Sequence, residues 1–203
     1  MHSFLTQSIG KTNKIIYFST GSVYKSSKEY LSEESEINHF SGNPYISSKI
    51  MAEELIYSFK SYFTEIIIVR PFFIYGHGQK ENMLISTMIH NVKNNIPITL
   101  NNNVGLIFNP IHVEDVNRFI ELHLETSLNG ISTYNIFGPE TITLFQVVKE
   151  IELVLEKRAI IITNDNPATK LVASSKDLRF KPFIGISTGI NKMIKTNYSS
   201  CAE

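Results

Sequence analysis

Lys14-Ile15-Ile16-Tyr17-Phe18-Ser19-Thr20-Gly21-Ser22 decides the fold. Its apolar middle, Ile15 to Phe18, is a continuous run suited to a buried strand, as in a parallel sheet covered on both faces. The run stops at Ser19-Thr20-Gly21-Ser22, a small, hydroxyl-rich turn. In an open α/β sheet the carboxyl end of a strand is where ligands sit.

Outward from this stretch, strand-like and helix-like segments alternate. Residues 1–13 read as the end of a helix plus a loop, and residues 25–43 as a charged loop. Pro44-Tyr45-Ile46-Ser47-Ser48-Lys49 opens a predicted helix that runs to about Tyr62, with Pro44 suited to its first turn. Glu65-Ile66-Ile67-Ile68-Val69-Arg70 predicts a second buried strand, closed by Pro71. Further helices are expected over 82–95, from Glu114 to about Leu128, and around 187–196. Another starts at the capping-box pattern Thr143-Leu144-Phe145-Gln146 and runs to about Lys157. Strands are expected at Ile98–Leu100, Tyr134–Phe137 and Ile160–Ile162, and Leu106–Phe108 and Ile111–Val113 frame another strand and turn; a turn is expected at Asn101–Asn103 and loop between Ile162 and the last helix. This alternation argues for an α/β fold with parallel strands.

At 203 residues the chain has room for one domain, or one plus a small lobe. With 42% hydrophobic and 19% charged residues, bulk disorder is excluded. Nineteen Lys and Arg balance nineteen Asp and Glu, so no nucleic acid or anionic membrane is called for. The apolar runs are strand-sized, short of the roughly 20 residues of a membrane span. Met1-His2-Ser3-Phe4-Leu5 carries no secretory pattern. The one cysteine, Cys201, excludes intrachain disulfides and multi-cysteine metal sites and points to a cytoplasmic location.

Tyr45 and Lys49 are four apart on the predicted helix and share a face. A tyrosine is a poor acid or base at neutral pH, but a nearby ammonium stabilises its phenolate. Such a pair can serve a carbinol–carbonyl interconversion. Tyr-x-x-x-Lys alone is also an ordinary surface pair. Here it follows a hydroxyl-capped strand, and Thr20 could bond the same substrate oxygen.

The sequence resembles the extended short-chain dehydrogenase/reductase superfamily, in particular its NAD(P)-dependent nucleotide-sugar epimerase/dehydratase group. Ile15 to Tyr24 resembles the family's strand and hydroxyl turn, with Thr20 at the catalytic Ser/Thr position. Pro44-Tyr45-Ile46-Ser47-Ser48-Lys49 matches its Tyr-x-x-x-Lys, and Ala52-Glu53 continues the match. Arg70-Pro71-Phe72-Phe73-Ile74-Tyr75-Gly76 resembles the segment beside the nicotinamide and sugar. Asn109-Pro110-Ile111-His112-Val113-Glu114-Asp115-Val116, Tyr134-Asn135-Ile136-Phe137-Gly138 and Phe180-Lys181-Pro182 follow in the family's order.

The resemblance implies a partial Rossmann-like, doubly wound parallel sheet containing C-terminal strands only, with a smaller α/β substrate-binding lobe. Residues 1–75 would be cofactor domain with the catalytic helix, 106–124 a return to it, and 76–105 and 125–203 mainly the lobe. It implies NAD or NADP as cofactor. Catalysis would fall to Thr20, Tyr45 and Lys49, and cofactor binding to Ser19, Tyr45, Lys49, Pro71 and Phe72. A sugar or nucleotide sugar would meet Thr20, Ser22, Phe73, Asn82, Met83 and Phe108. No metal is implied. The family's association predicts a homodimer through the helix 44–62, whose apolar residues Ile50, Met51, Leu55, Ile56 and Phe59 span a wide arc.

Three departures qualify this. None of the ten glycines forms the Gly-rich turn that opens the family's cofactor domain, so an N-terminally truncated chain is expected. Phe73 stands where sugar epimerases often place asparagine. Phe108-Asn109 replaces an Arg-Asp pair whose arginine grips a diphosphate, leaving Lys80 and Arg118 as alternatives. NAD versus NADP stays open, as do epimerisation, reduction and dehydration. Dehydration ranks lowest, because Gly21-Ser22 rather than acidic residues follow Thr20. A cofactor-free remnant or substrate-lobe binding module is the competing reading. His112-Val113-Glu114-Asp115 reads as a helix start rather than a metal cluster.

Overall fold

The computed structural model describes residues 1–126, 128–175 and 180–199; Cys201 lies outside them. In chain order the elements are α1 (His2–Ser8), β1 (Lys14–Phe18), α2 (Pro44–Ser58), β2 (Glu65–Pro71), β3 (Ile74–Tyr75), α3 (Leu84–Asn94), β4 (Ile98–Asn101), β5 (Leu106–Phe108) and β6 (Ile111–His112). Then follow α4 (Val113–Glu125), β7 (Gly130–Ile136), β8 (Ile142–Thr143), α5 (Leu144–Leu155), β9 (Ile161–Asn164), β10 (Thr169–Leu171) and α6 (Ile186–Ser199). Among the described residues no helix is long and apolar enough to cross a membrane.

The main sheet is parallel, in the order β1-β2-β7. Lys14 pairs with Glu65 and Glu65 with Gly130, so three segments far apart in sequence start in step. The central strand β2 is buried from Glu65 through Arg70. Period-two alternation sends Ile66 and Ile68 to one face, with Leu5, Ile15 and Ile56, and Ile67 and Val69 to the other, with Val116 and Phe119. Helices α1 and α2 therefore cover one face and α4 the other. This is a Rossmann-like arrangement of parallel strands between helices.

Local chemistry sets the helix starts. Asn43 accepts from the Tyr45 backbone N–H at 2.9 Å and Pro44 occupies the first turn of α2. His112 caps α4 through Nδ1, with Glu114 and Asp115 in the first turn. The capping box of Thr143 and Gln146 opens α5.

The lobe packs α3, α5 and α6 around β4 and β5 in a core of its own, which includes Val92, Leu100, Phe108, Val148, Ile151 and Ile190. Its boundaries differ from the expected ones. β7 lies in the main sheet, bonded along its whole length to β2, and β5 sits between β10 and β8. The run Ile131 to Ile136 fills the far side of β2, whereas Phe108 belongs to the lobe core. Strand β10 forms in a stretch expected to be loop. Thr169-Lys170-Leu171 carries no apolar pattern, and it is extended because it pairs in parallel with Leu106–Phe108.

Candidate functional site

The carboxyl ends of β1 and β2 open into a cleft of about 430 Å³. Ser19, Thr20, Gly21 and Ser22 line it from the end of β1, and Tyr45 from the first turn of α2. Pro71 to Tyr75, Gln79, the segment Asn82 to Ile85, and Leu171 complete it. All but two of the expected site residues meet here. Lys49, half-buried, does not line the cleft, and Phe108 lies in the lobe core.

Thr20 is extended, and its Oγ1 accepts from the Ser22 N–H at 3.2 Å, capping a short 3₁₀ turn over Gly21–Val23. This leaves the Thr20 hydroxyl hydrogen for a ligand. Ser19 is buried, and its Oγ lacks a hydrogen-bond partner. A buried hydroxyl of this kind on a cleft wall marks a place for a polar ligand atom. Gly21 is required by packing: a Cβ there would stand 2.5 Å from the Phe72 ring. Phe72 can therefore close down on the turn.

Tyr45 is 54% exposed at the cleft mouth. One helical turn on, the Lys49 ammonium donates to the Phe18 carbonyl at 2.8 Å. It lies 5.2 Å from the centre of the Tyr17 ring and 5.9 Å from that of Tyr45. Burial, followed by the charge of Glu53, pushes the Tyr17 hydroxyl above its ordinary value, so Tyr17 is a neutral wall for the lysine.

Phe108 is corrected from substrate contact to core residue. It is fully buried and packs edge-on against Phe73 at 5.0 Å between centroids. As the middle strand of its sheet, β5 turns this side chain into the lobe. Of the two alternative cations, Arg118 is held by Asp115 at 3.0 Å and by the Phe183 ring at 4.1 Å. Lys80 is exposed between Gln79 and Asn82 in the sequence. Among the described residues no group of three or more His, Cys, Asp or Glu is placed to hold a metal ion. Asp115 instead receives the backbone N–H groups of Phe183 and Ile184.

Sequence reasoning missed the polar network beneath the cleft. Arg70 donates from Nε and Nη2 to the two carboxylate oxygens of Glu53, and from Nη1 to Tyr24 Oη at 2.8 Å. Tyr24 Oη donates to Asn135 Oδ1 at 2.7 Å. Asn135 in turn bonds the carbonyls of Leu31 and Ser174. Burial opposes the Arg70 charge, but its bonds to Glu53 and Tyr24 outweigh that and hold the guanidinium more basic than usual. Burial likewise lifts the Tyr24 hydroxyl, keeping it protonated so that it can donate. The signal was legible: an arginine ending an otherwise apolar strand needs a buried partner.

The model of the NAD dependent epimerase/dehydratase family matches residues 4–136. The dTDP-4-dehydro-6-deoxyglucose reductase of Escherichia coli is 28% identical over 198 residues, covering 90% of this chain and 61% of that protein. The dTDP-D-glucose 4,6-dehydratase of Dictyostelium discoideum is 30% identical over 152 residues, covering 70% of this chain and 35% of that protein. The chain thus spans less than two thirds of the length of these relatives. The UDP-glucuronic acid 4-epimerase of Bacillus cereus, solved in complex with NAD, superposes with a TM-score of 0.83 at 24% identity. That match covers 96% of this chain and 65% of that one, and at such identity it speaks for the fold. More than half of the residues fall within the matched model, and the fold agrees: the chain belongs to the NAD dependent epimerase/dehydratase family.

Proposed function

We propose that this chain carries the catalytic and substrate-binding part of a nicotinamide-dependent oxidoreductase or isomerase acting on a nucleotide-linked sugar. The observation that carries the reading is the meeting of Thr20 and Tyr45 in one cleft, with Lys49 anchored a turn behind. The names of the relatives, a reductase and a dehydratase of dTDP-sugars, support the substrate class.

The residues present fit the nicotinamide end of NAD or NADP. The unpartnered Ser19 hydroxyl lies on the wall formed with Pro71 and Phe72. Lys49 uses one ammonium hydrogen on Phe18 and keeps two for ribose hydroxyls. When bound, the nicotinamide supplies or accepts hydride. Tyr45 holds or releases a proton at the sugar carbinol oxygen, and Thr20 donates to the same oxygen and orients it. Phe72 and Phe73 exclude water from the cleft floor. Ser22, Asn82 and Met83 contact the sugar, and Lys80 is the cation nearest in sequence for a diphosphate.

The reading includes a homodimer through α2. Ile56 packs on the sheet with Ile66 and Ile68, and Ile50 packs with Val23 and Phe72, while Met51 is 68% exposed. It also places the protein in a reducing cytoplasm, on one cysteine in the whole sequence.

The test is Tyr45→Phe, assayed in the enzyme with a complete dinucleotide-binding segment. Nearly all turnover should be lost with the circular dichroism spectrum unchanged, because one exposed hydroxyl is removed. Turnover near the unmutated rate would overturn the mechanism.

A further inference from the structure

We infer that Phe73 makes the cleft selective for a nucleoside-diphosphate 6-deoxyhexose, a sugar carrying a methyl group where other hexoses carry a hydroxymethyl or carboxylate. This rests on the reading of the cleft as a nucleotide-sugar site and narrows it.

Phe73 joins two sheets. Just before it, Phe72 still bonds to Ile136 at the end of the main sheet; just after it, Ile74 pairs with Ile111 in a separate two-stranded ladder. Turning the chain there gives Phe73 a φ of 49°. A bulky residue in the left-handed region is a strained outlier. Asparagine or glycine would relieve the strain, so the aromatic side chain is held against a backbone preference. Its ring lines the cleft and is braced from behind by Phe108.

The same wall continues through Met83, Leu84 and Leu171, with Asn82 next to Met83 as its one further amide besides Gln79, while the hydroxyls of Ser19, Thr20, Ser22 and Tyr45 come from the other segments. Among the described residues, none that lines the cleft is charged. The Gln79 amide is already used: Nε2 donates to the Ile74 carbonyl and Oε1 accepts from Ser86. With the reacting carbinol at the hydroxyl wall, the exocyclic carbon of the ring falls against carbon. A methyl gains burial there, a hydroxyl loses water, and a carboxylate loses water with no cation in the lining to replace it.

UDP-6-deoxyglucose, UDP-glucose and UDP-glucuronic acid differ only at this carbon, so calorimetric titration of the chain with the three isolates the effect. The 6-deoxy sugar should bind about tenfold tighter than UDP-glucose, the scale of one group in an apolar pocket. UDP-glucuronic acid should be weakest. Phe73→Asn should bring the three within about threefold of one another, while Phe73→Leu, which keeps the wall apolar, should preserve the order. Equal or reversed affinities in the unmutated chain would overturn the inference and leave the nucleotide-sugar reading intact. Binding of none of the three beyond that of UDP alone would instead remove the nucleotide-sugar reading, and this inference with it.

Discussion

Glu53 on α2 and Arg70 on β2 form a two-bond ion pair, with both side chains more than nine-tenths buried. Helix and strand are thereby fixed to each other one helical turn beyond Lys49. Removing one partner leaves the other charge stranded in the interior. Glu53→Gln should cost about 3 kcal/mol in urea unfolding. The double variant Glu53→Leu, Arg70→Met should cost less than the single one, because no charge is left unpaired. A single variant as stable as the parent would show that the pair contributes nothing.

In the proposed mechanism Thr20 and Tyr45 bear on the same oxygen but differ in role. Thr20→Ala should lower turnover on the order of 10²-fold, the lower end for one acid/base-type contact, and less than Tyr45→Phe does. Single-turnover measurements on both variants give the ratio, and a Thr20→Ala loss exceeding that of Tyr45→Phe would reverse the assignment.

His112 gives the fold a pH dependence. Burial holds its pKa below the ordinary histidine value and Lys192 adds to that, against the opposing pull of Glu114 and Asp115. The ring also packs edge-on against Tyr75 at 5.2 Å. A base with a lowered folded pKa contributes its stability fully above the unfolded value, about 6.5, and loses it as pH falls. The melting temperature should therefore drop between pH 7 and pH 5.5. His112→Asn keeps a capping oxygen for α4 and should flatten that part of the profile. Parallel profiles for the two proteins would exclude His112 as the source.

A protein of these 203 residues alone should bind NAD and NADP weaker than about 1 mM, or −4 kcal/mol. In the proposed site only the nicotinamide end finds partners, at Ser19, Tyr45 and Lys49, and the sequence holds no G-x-G-x-x-G turn for a pyrophosphate. A micromolar dissociation constant by calorimetry for either dinucleotide would contradict this.

The apolar, outward-facing Met51 makes the association testable. The parent should sediment as a dimer at micromolar concentration and Met51→Glu as a monomer, since a two-fold contact repeats the new charge on both sides. A monomeric parent would remove the dimer from the functional reading.

The parallel sheet was legible because Ile15–Phe18 and Ile66–Val69 are unbroken apolar runs bounded by turns, and α5 because its capping box is local. Most of the cleft was legible through Thr20 and Tyr45, whose spacing and order are local properties too. Leu171 and Phe108 were not. The first reaches the cleft through a strand created by pairing, and the second faces the core for the same tertiary reason. The link from Arg70 to Tyr24 and Asn135 joins residues 46 and 65 positions away along the chain, beyond any periodic pattern.

The register of the main sheet has a kinetic consequence. Lys14 meets Glu65, and Glu65 meets Gly130, only after two long crossovers have closed. No local hairpin can nucleate such pairings, so their loop-closure entropy is met before any bond rewards it. The hydroxyl wall hangs on the end of β1 and the Phe73 wall on the end of β2. A nascent or partly folded chain therefore has neither wall in place, and ligand recognition begins only once the slowest pairings are complete.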